Sequence, residues 1–451
     1  MSEEFAVVVE RVRERVTPDA DERERLRAAT ARLVDRTEDA IDELPVDADV
    51  LLVGSTARGT WLTGDRDIDL FVRFPPDLDR ADLEDYGLQV GWTVLPDGRE
   101  EYAEHPYVVG EFEGFTVDLV PCYDVADATK IQSAVDRTPF HTAYLDERLD
   151  EGLAAEVRVC KAFLKGIGVY GSDLRTRGFS GYLTELLVLE YGGFRRLVEA
   201  AADWHPPVEL DPADHGDATF DDPLVVIDPT DPERNVAAVC SAENVARLQH
   251  YARALLADPS DDLFDSSDPA PLSPPEVRAV IDERGTMPVA IRFDAPDVVE
   301  DQLWPQLRKS LDGLSGELDR RGFDVFRAAS FADASAVLFT ELAVSDRPAV
   351  ERHEGPPVHV RDHATGFYGK YDGDDSVYGP FLDGDRYVVE RDREFTTARE
   401  FLDSDALFDI ALGAHVESAL DDGYDLLVGD EVASLANEFG AELATYFSPR
   451  P

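Results

Sequence analysis

Asp67 and Asp69 stand two positions apart, and Asp118 is the one carboxylate inside the apolar run FTVDLVP (115–121). In an extended strand, residues two apart share a face. Two carboxylates on one face at the head of the apolar run IDLFVRF (68–74) repel unless a cation or a base joins them. A lone acid in a run made for burial also needs a partner. A strand lying beside the first would bring Asp118 to the other two. Three carboxylates of this kind are hard oxygen ligands. They suit a pair of Mg²⁺ ions about 3.5–4 Å apart, which can activate a hydroxyl and stabilise a leaving phosphate group. The competing reading of Asp118 is a structural bridge to an arginine.

The spacing alone carries little weight. With 95 Asp and Glu in 451 residues, random scatter would produce roughly 20 such acid pairs. Asp383-Gly384-Asp385 is one with no evident role. The surroundings decide the matter. Gly54-Ser55 ends the preceding apolar run, DVLLVG (49–54), and a small turn with free N–H groups and a hydroxyl can hold phosphate oxygens. Arg58, four positions beyond Gly54, is placed to reach the same oxygens.

The chain is long enough for several domains and a sizeable core. Hydrophobic residues make up 43%, so it is globular despite a net charge of -52. Only five lysines occur, at 130, 161, 165, 309 and 370. Acid spread over the whole length, with lysine scarce, is the surface expected in a salt-rich cytoplasm. Such a charge ordinarily argues against a nucleic-acid partner. At molar salt the Debye length falls to about 3 Å, and local contacts decide instead. Cys122, Cys160 and Cys240 show no CxxC spacing, so neither a disulfide framework nor a zinc site is expected. The opening MSEEFAVVVERVRERV is charged throughout and is no signal peptide. No apolar run is long enough to span a membrane.

The elements that must position these residues follow from pattern. Helices are predicted over 3–16 and 18–43, the second started by Thr17-Pro18 and acids in its first turn. Strands are predicted over 49–54 and 68–74, a helix over 79–90, and a hairpin over 107–112 and 115–121. Residues 1–150 therefore combine helices with a small mixed sheet. From Asp150 the spacing becomes helical. A Pro/Asp-rich connector (203–233) precedes a further helix from about Asn235 to Leu256. DPSDDLFDSSDPAPLSPP (258–275) reads as a linker. Beyond it come a strand at 287–293, a helix near 301–320, and strand-like ASAVLFTEL and DRYVVERD, an α+β pattern.

The block GST-x-R-x-TWL-x-G-x-x-x-ID (54–69) resembles the archaeal, class I CCA-adding enzymes, tRNA nucleotidyltransferases of the polymerase-beta-like superfamily. SAVDRTPFHTAYL (133–145), KAFLKGIGVYGSDLRTRGFSGYLTELL (161–187) and DPTDPERNVAAVCS (228–241) resemble that family in the same order. DRTPFH and RGFSGYL are the more specific of these, since GS with a spaced aspartate marks only the superfamily.

The resemblance implies an α+β multidomain fold: a nucleotidyltransferase head (1–150), a helical central domain (151–265), and an α+β body and tail (276–451) that binds tRNA. It implies template-independent addition of the 3′-terminal CCA from CTP and ATP, with Mg²⁺ and release of pyrophosphate. Asp67, Asp69 and Asp118 would hold the metals; many relatives carry Glu where Asp67 stands. Ser55 and Arg58 would bind the triphosphate. His141, Lys161 and Tyr170 match positions around triphosphate and sugar, Arg234 a position near the base and phosphates, and Thr138 a contact to ribose or phosphate. Other readings stand beside these: a loop histidine, a core tyrosine, a surface arginine at a helix start, and a turn cap. For Lys161 the scarcity of lysine is itself a signal. The partner would be the 3′ end, acceptor and T arms of tRNA, in the cytoplasm, with room for a homodimer. Arg308, Lys309, Arg320, Arg321 and Arg327 are the densest basic cluster of the second half, and balancing local acid explains them equally well. A poly(A) polymerase or oligoadenylate synthetase would share the first domain and its chemistry, but lacks reason for DRTPFH and RGFSGYL.

Overall fold

A computed structural model describes residues 2–265 and 269–451. The chain divides into two compact units, Met1–Ser267 (with Pro451) and Asp268–Arg450. The first contains α1 (Ser2–Val16), α2 (Ala20–Ile41), β1 (Asp49–Val53), α3 (Gly54–Arg58), β2 (Asp67–Phe74), α4 (Arg80–Val94), β3 (Arg99–Tyr102), β4 (Pro106–Phe112) and β5 (Phe115–Tyr123). It continues through α5 (Thr138–Asp146), α6 (Glu151–Gly166), α7 (Gly181–Tyr191), α8 (Phe194–Ala202), β6 (Val208–Leu210), β7 (Leu224–Asp228), β8 (Asp231–Asn235) and α9 (Ala242–Ala257).

The four expected strands, joined by the unpredicted edge strand β3, assemble into a five-stranded mixed sheet of order β1-β2-β5-β4-β3. β1 is antiparallel to β2, β2 is parallel to β5, and β5 forms the expected hairpin with β4. Alternation along β2 sorts its side chains. Ile68, Leu70, Val72 and Phe74 join Leu26, Leu33, Leu83 and Val90 of α2 and α4 in one core. Asp67, Asp69, Phe71 and Arg73 therefore face the other way. On that second face Phe71 packs with Val53, Val120 and Cys122. Two glycines let α4 lie close on the sheet: a Cβ at Gly87 would sit 2.6 Å from Pro121, and one at Gly91 2.5 Å from Val108.

A separate core forms among α6 to α9 around Phe163, Phe179, Leu186, Phe194 and Leu248. Helix α1 adds its apolar side, Phe5, Val8, Val9 and Val12, to this core rather than to the sheet. Chain order places α1 with the head, but burial of its apolar stripe is decided by which surface offers a groove. The further helix starts at Ala242, not near Asn235. Asn235 ends β8, where its side-chain amide accepts from the backbone N–H of Val226 and Ala237, and Ser241 caps α9 on the N–H of Asn244. The Pro/Asp-rich connector holds three short strands, since apolar Leu224–Ile227 is buried. Of the linker, Ser266, Ser267 and Asp268 lie outside the described residues. On its first side Asp261–Phe264 forms a 3₁₀ turn that packs Phe264 against Phe163 and Phe194.

The second unit contains α10 (Pro274–Arg284), β9 (Met287–Asp294), α11 (Glu300–Arg321), β10 (Val325–Ala332), β11 (Ser335–Leu342), β12 (Val350–Pro357), α12 (Arg361–Tyr371), β13 (Val377–Asp383), β14 (Arg386–Asp392), α13 (Ala398–Leu402), α14 (Ala414–Asp422), β15 (Asp425–Val428) and α15 (Ala436–Phe447). An antiparallel sheet β10-β11-β9-β15 is packed on one face by α11 and α14 and on the other by α10 and α15. A smaller sheet has order β12-β14-β13. Its edges, VERHEGPP and VYGPFLD, carry Gly, Pro and charge and have no strand signature of their own. Pairing with the apolar centre of β14 makes them strands.

Candidate nucleotidyltransferase site

The β2/β5 register sets Asp69 directly opposite Asp118, with Asp67 opposite Thr116. Asp67, Asp69 and Asp118 therefore share the face away from α2 and α4. On the other flank Asp69 pairs with Val53, so Gly54 and the short helix α3 begin beside its carboxylate. Gly54 has φ +75, and a Cβ there would lie 2.0 Å from Asp69 Oδ2. No other residue fits that position without moving the carboxylate.

The three acids are electrostatically strained. Burial, then repulsion from Asp118 and Asp67, pushes Asp69 up to about 6. Burial and Asp65 raise Asp67; burial, Asp67 and Glu101 raise Asp118. Among the described residues, no three His, Cys, Asp or Glu side chains are gathered tightly enough to form a ready-made metal cluster. Mg²⁺ does not require one, because it is bound through one or two carboxylates together with substrate phosphates and water. A donor set of hard oxygens held in mutual repulsion fits a divalent cation, which would relieve that repulsion.

Arg58 is not free at the surface. Its side chain is 8% exposed and is bound to Glu185, with Nη2 2.8 Å and Nε 3.0 Å from Oε2, while Nη1 donates to Thr142 Oγ1 at 3.2 Å. Glu185 is fully buried and also takes Lys161 Nζ at 3.5 Å and the hydroxyl of Thr60. Burial lowers the Lys161 ammonium from its ordinary value, and Glu185 opposes this. One carboxylate thus holds two buried cations, a net positive charge in a site near Asp69. Tyr170 lies on the same side: a Cβ at Gly181 would be 3.2 Å from its hydroxyl and 3.9 Å from Lys161 Nζ.

His141 and Arg234 meet at a second buried acid. Asp228 Oδ2 is 2.8 Å from His141 Nε2 and 2.7 Å from Arg234 Nη1. The His141 ring stacks on Tyr182 at 3.8 Å between centroids. Burial depresses the imidazole more than Asp228 lifts it. Burial presses Asp228 upward, but the hydrogen bonds from His141 and Thr230 outweigh it and hold the acid well below the usual carboxylate range. Arg234 is in β8 and not at a helix start. Thr138 opens α5, half-buried, with Arg137 and not itself in the capping position.

The structure therefore brings Gly54, Ser55, Asp67, Asp69 and Asp118 together at one end of the central strands, and sets Arg58, Lys161, His141 and Arg234 on two buried acids. Sequence reasoning missed Glu185 and Asp228. Each carries the signal that found Asp118, an acid within or ending an apolar run: YLTELLVL and LVVID. The basic cluster of the second unit is dispersed. Arg320 and Arg321 bond Glu317, Arg321 also bonds Glu394 and lies over Phe395 and Phe401, and Arg327 stacks on Tyr446 at 3.9 Å. Lys309 is exposed on α11.

A mixed sheet with spaced aspartates on its second strand, a third on a parallel neighbour and a glycine turn beside them defines a nucleotidyltransferase. Residues 34–141 match the nucleotidyltransferase domain family, 155–265 the second domain of tRNA nucleotidyltransferase, and 284–429 the C-terminal domain of CCA-adding enzyme. The chain is 65% identical to the CCA-adding enzyme of Haloarcula marismortui and 63% identical to that of Halorubrum lacusprofundi, each over 100% of both chains. It is 43% identical to the CCA-adding enzyme of Methanoregula boonei, over 96% of this chain and 93% of that one. The chain belongs to the CCA-adding enzyme family and is a tRNA nucleotidyltransferase.

Proposed function

We propose that Asp67, Asp69 and Asp118 hold Mg²⁺ on the β2/β5 pair, and that the 3′-hydroxyl of tRNA attacks the α-phosphate of CTP or ATP there, releasing pyrophosphate. The reading rests on one observation above all: Asp69 and Asp118 face each other in register beneath Gly54, and burial together with their mutual and neighbouring negative charge raises both, more than the nearby Arg58, Lys161 and Arg99 offset. When bound, the metal would lower the pKa of the attacking hydroxyl and offset charge on the leaving pyrophosphate.

The chain's own residues supply the rest. The N–H groups and hydroxyl at Ser55 receive triphosphate oxygens at the turn. Arg58 and Lys161, fixed through Glu185, offer positive charge to the same phosphates, and pre-fixed charges cost no reorganisation as the bond breaks. His141 and Tyr170 border triphosphate and sugar, Thr138 the ribose or phosphates, and Arg234 the base. No template strand takes part, so base choice comes from protein groups and the growing tRNA end. Residues 276–451 grip the acceptor and T arms, with Lys309 among the exposed cations available for phosphate contacts. No helix among the described residues is long and apolar enough to cross a membrane.

The test is incubation of tRNA ending before C, after C or after CC with each labelled NTP at molar KCl. The expected products stop at CCA, from CTP and ATP only. A long A tract overturns this reading in favour of a poly(A)-polymerase activity.

A further inference from the structure

We propose that Asp228 is a positioning residue for nucleotide selection: it holds Arg234 and His141 at a fixed separation, and so couples the base side of the bound nucleotide to its phosphate side. The proposal rests on the reading that Arg234 faces the base and His141 the phosphates.

The geometry is specific. Asp228 is fully buried at the end of β7, and its two oxygens divide their work. Oδ2 accepts from His141 Nε2 at 2.8 Å and from Arg234 Nη1 at 2.7 Å. Oδ1 accepts from the N–H and hydroxyl of Thr230 at 2.9 and 2.8 Å, and from the Tyr182 hydroxyl at 3.5 Å. Thr230 therefore fixes the carboxylate, and the opposite oxygen fixes the two functional groups. An ionised carboxylate only accepts, so the proton of His141 lies on Nε2 and Nδ1 is left for another partner. Stacking on Tyr182 removes the remaining freedom of the ring. Arg234, by contrast, keeps a side chain 35% exposed, anchored at one nitrogen and with its other donors available. A buried acid that clamps a half-exposed arginine restricts where those donors point. Placement of that kind discriminates between bases, whose hydrogen-bonding edges differ in donors and acceptors.

Asp228→Asn has nearly the same shape but leaves one oxygen to accept from partners that need two. The expected result is a rise of about tenfold or more in KM for CTP and ATP, as displaced contacts produce, with raised misincorporation of UTP and GTP. In an Arg234→Ala background the same change should loosen selectivity no further, since both act through one group. Thr230→Ala removes two contacts to Oδ1 and frees the carboxylate to turn, so it should loosen selectivity in the same direction as Asp228→Asn but less, since Oδ2 stays engaged. If Asp228→Asn keeps wild-type discrimination while Arg234→Ala loses it, this inference fails and the role of Arg234 stands. If Arg234→Ala keeps discrimination, the underlying reading fails instead. Thr37→Ala, which removes a buried hydrogen bond to Leu33 within α2, is the destabilisation control; if it loosens selectivity as much as Asp228→Asn, the effect is general destabilisation and the proposal is overturned. Should Asp228→Asn not fold, Asp228→Glu keeps the charge and moves it by one methylene, and it must show the same loss of selectivity; unchanged selectivity in that folded variant overturns the proposal.

Discussion

Gly54→Ala tests the site more sharply than removal of any aspartate. Two costs separate. Gly54 has φ +75, and a residue with a Cβ in that left-handed region costs about 1–2 kcal/mol. The second cost is local: the new methyl would lie 2.0 Å from Asp69 Oδ2, where ordinary contact begins at 3.4 Å. The carboxylate must move by roughly 1 Å or more, and displacement on that scale costs about 10²-fold in rate when it misplaces a reacting group. Gly64→Ala is the matched control. It has φ +84 and nothing within 4 Å of a new Cβ, so it carries the backbone cost alone. The assay is pyrophosphate release with tRNA ending before C, alongside a thermal melt of each variant. Gly54→Ala should lose at least as much stability as Gly64→Ala, and only Gly54→Ala should lose about 10²-fold in kcat. Equal kcat for the two would refute the claim that Gly54 exists to let the turn approach Asp69.

Asp69→Asn should abolish incorporation of CTP and ATP alike while leaving tRNA affinity in a gel shift largely intact; activity with lost affinity would refute the metal role. Because folding raises Asp69 from 3.8 to about 6, the folded state binds the extra proton between those values, so stability falls as pH rises through that window, by at most about 3 kcal/mol. The metal-free Asn variant should therefore melt higher than wild type at pH 7 and equally near pH 4, and Mg²⁺ should raise the pH 7 melt of wild type only. A less stable Asn variant at pH 7 would contradict the charge repulsion argued for the site. Glu185→Gln leaves Arg58 and Lys161 buried without their carboxylate. Urea unfolding should report a loss of about 3–5 kcal/mol, and a loss under about 1 kcal/mol would mean that water reaches the cluster.

Much of the head was legible because burial follows period. IDLFVRF alternates, so its strand, its buried face and the shared face of Asp67 and Asp69 could all be read from two-residue spacing. Asp118 was legible for a related reason, as the one acid in a run otherwise made for burial. The same test, applied to YLTELLVL and LVVID, would have found Glu185 and Asp228. It was not applied there because an acid on a helix, as at Glu185, or at a strand end, as at Asp228, is ordinarily solvated. The second unit was less readable. β12 and β13 are edge strands whose Gly, Pro and charge suit open edges, and only pairing with β14 makes them strands.

The chemistry available was written in the residues themselves: hard oxygen donors, a glycine turn, Arg58 close behind it, and Lys161 as one of only five lysines. Residue type and short spacing act locally, so a linear reading reaches them. Three things were decided only by the tertiary structure. The parallel register of β2 and β5 set Asp69 against Asp118 and not one residue off, which would have turned Asp118 into the opposite core. The packing of α1 on the helical core, rather than on the sheet, followed from the groove it met. The pairing of Arg58 with Glu185 and of Arg234 with Asp228 joins positions 127 and 6 residues apart. Which buried acid claims which cation depends on distances in space, and a desolvated charge takes the partner within reach, whatever its place in the chain.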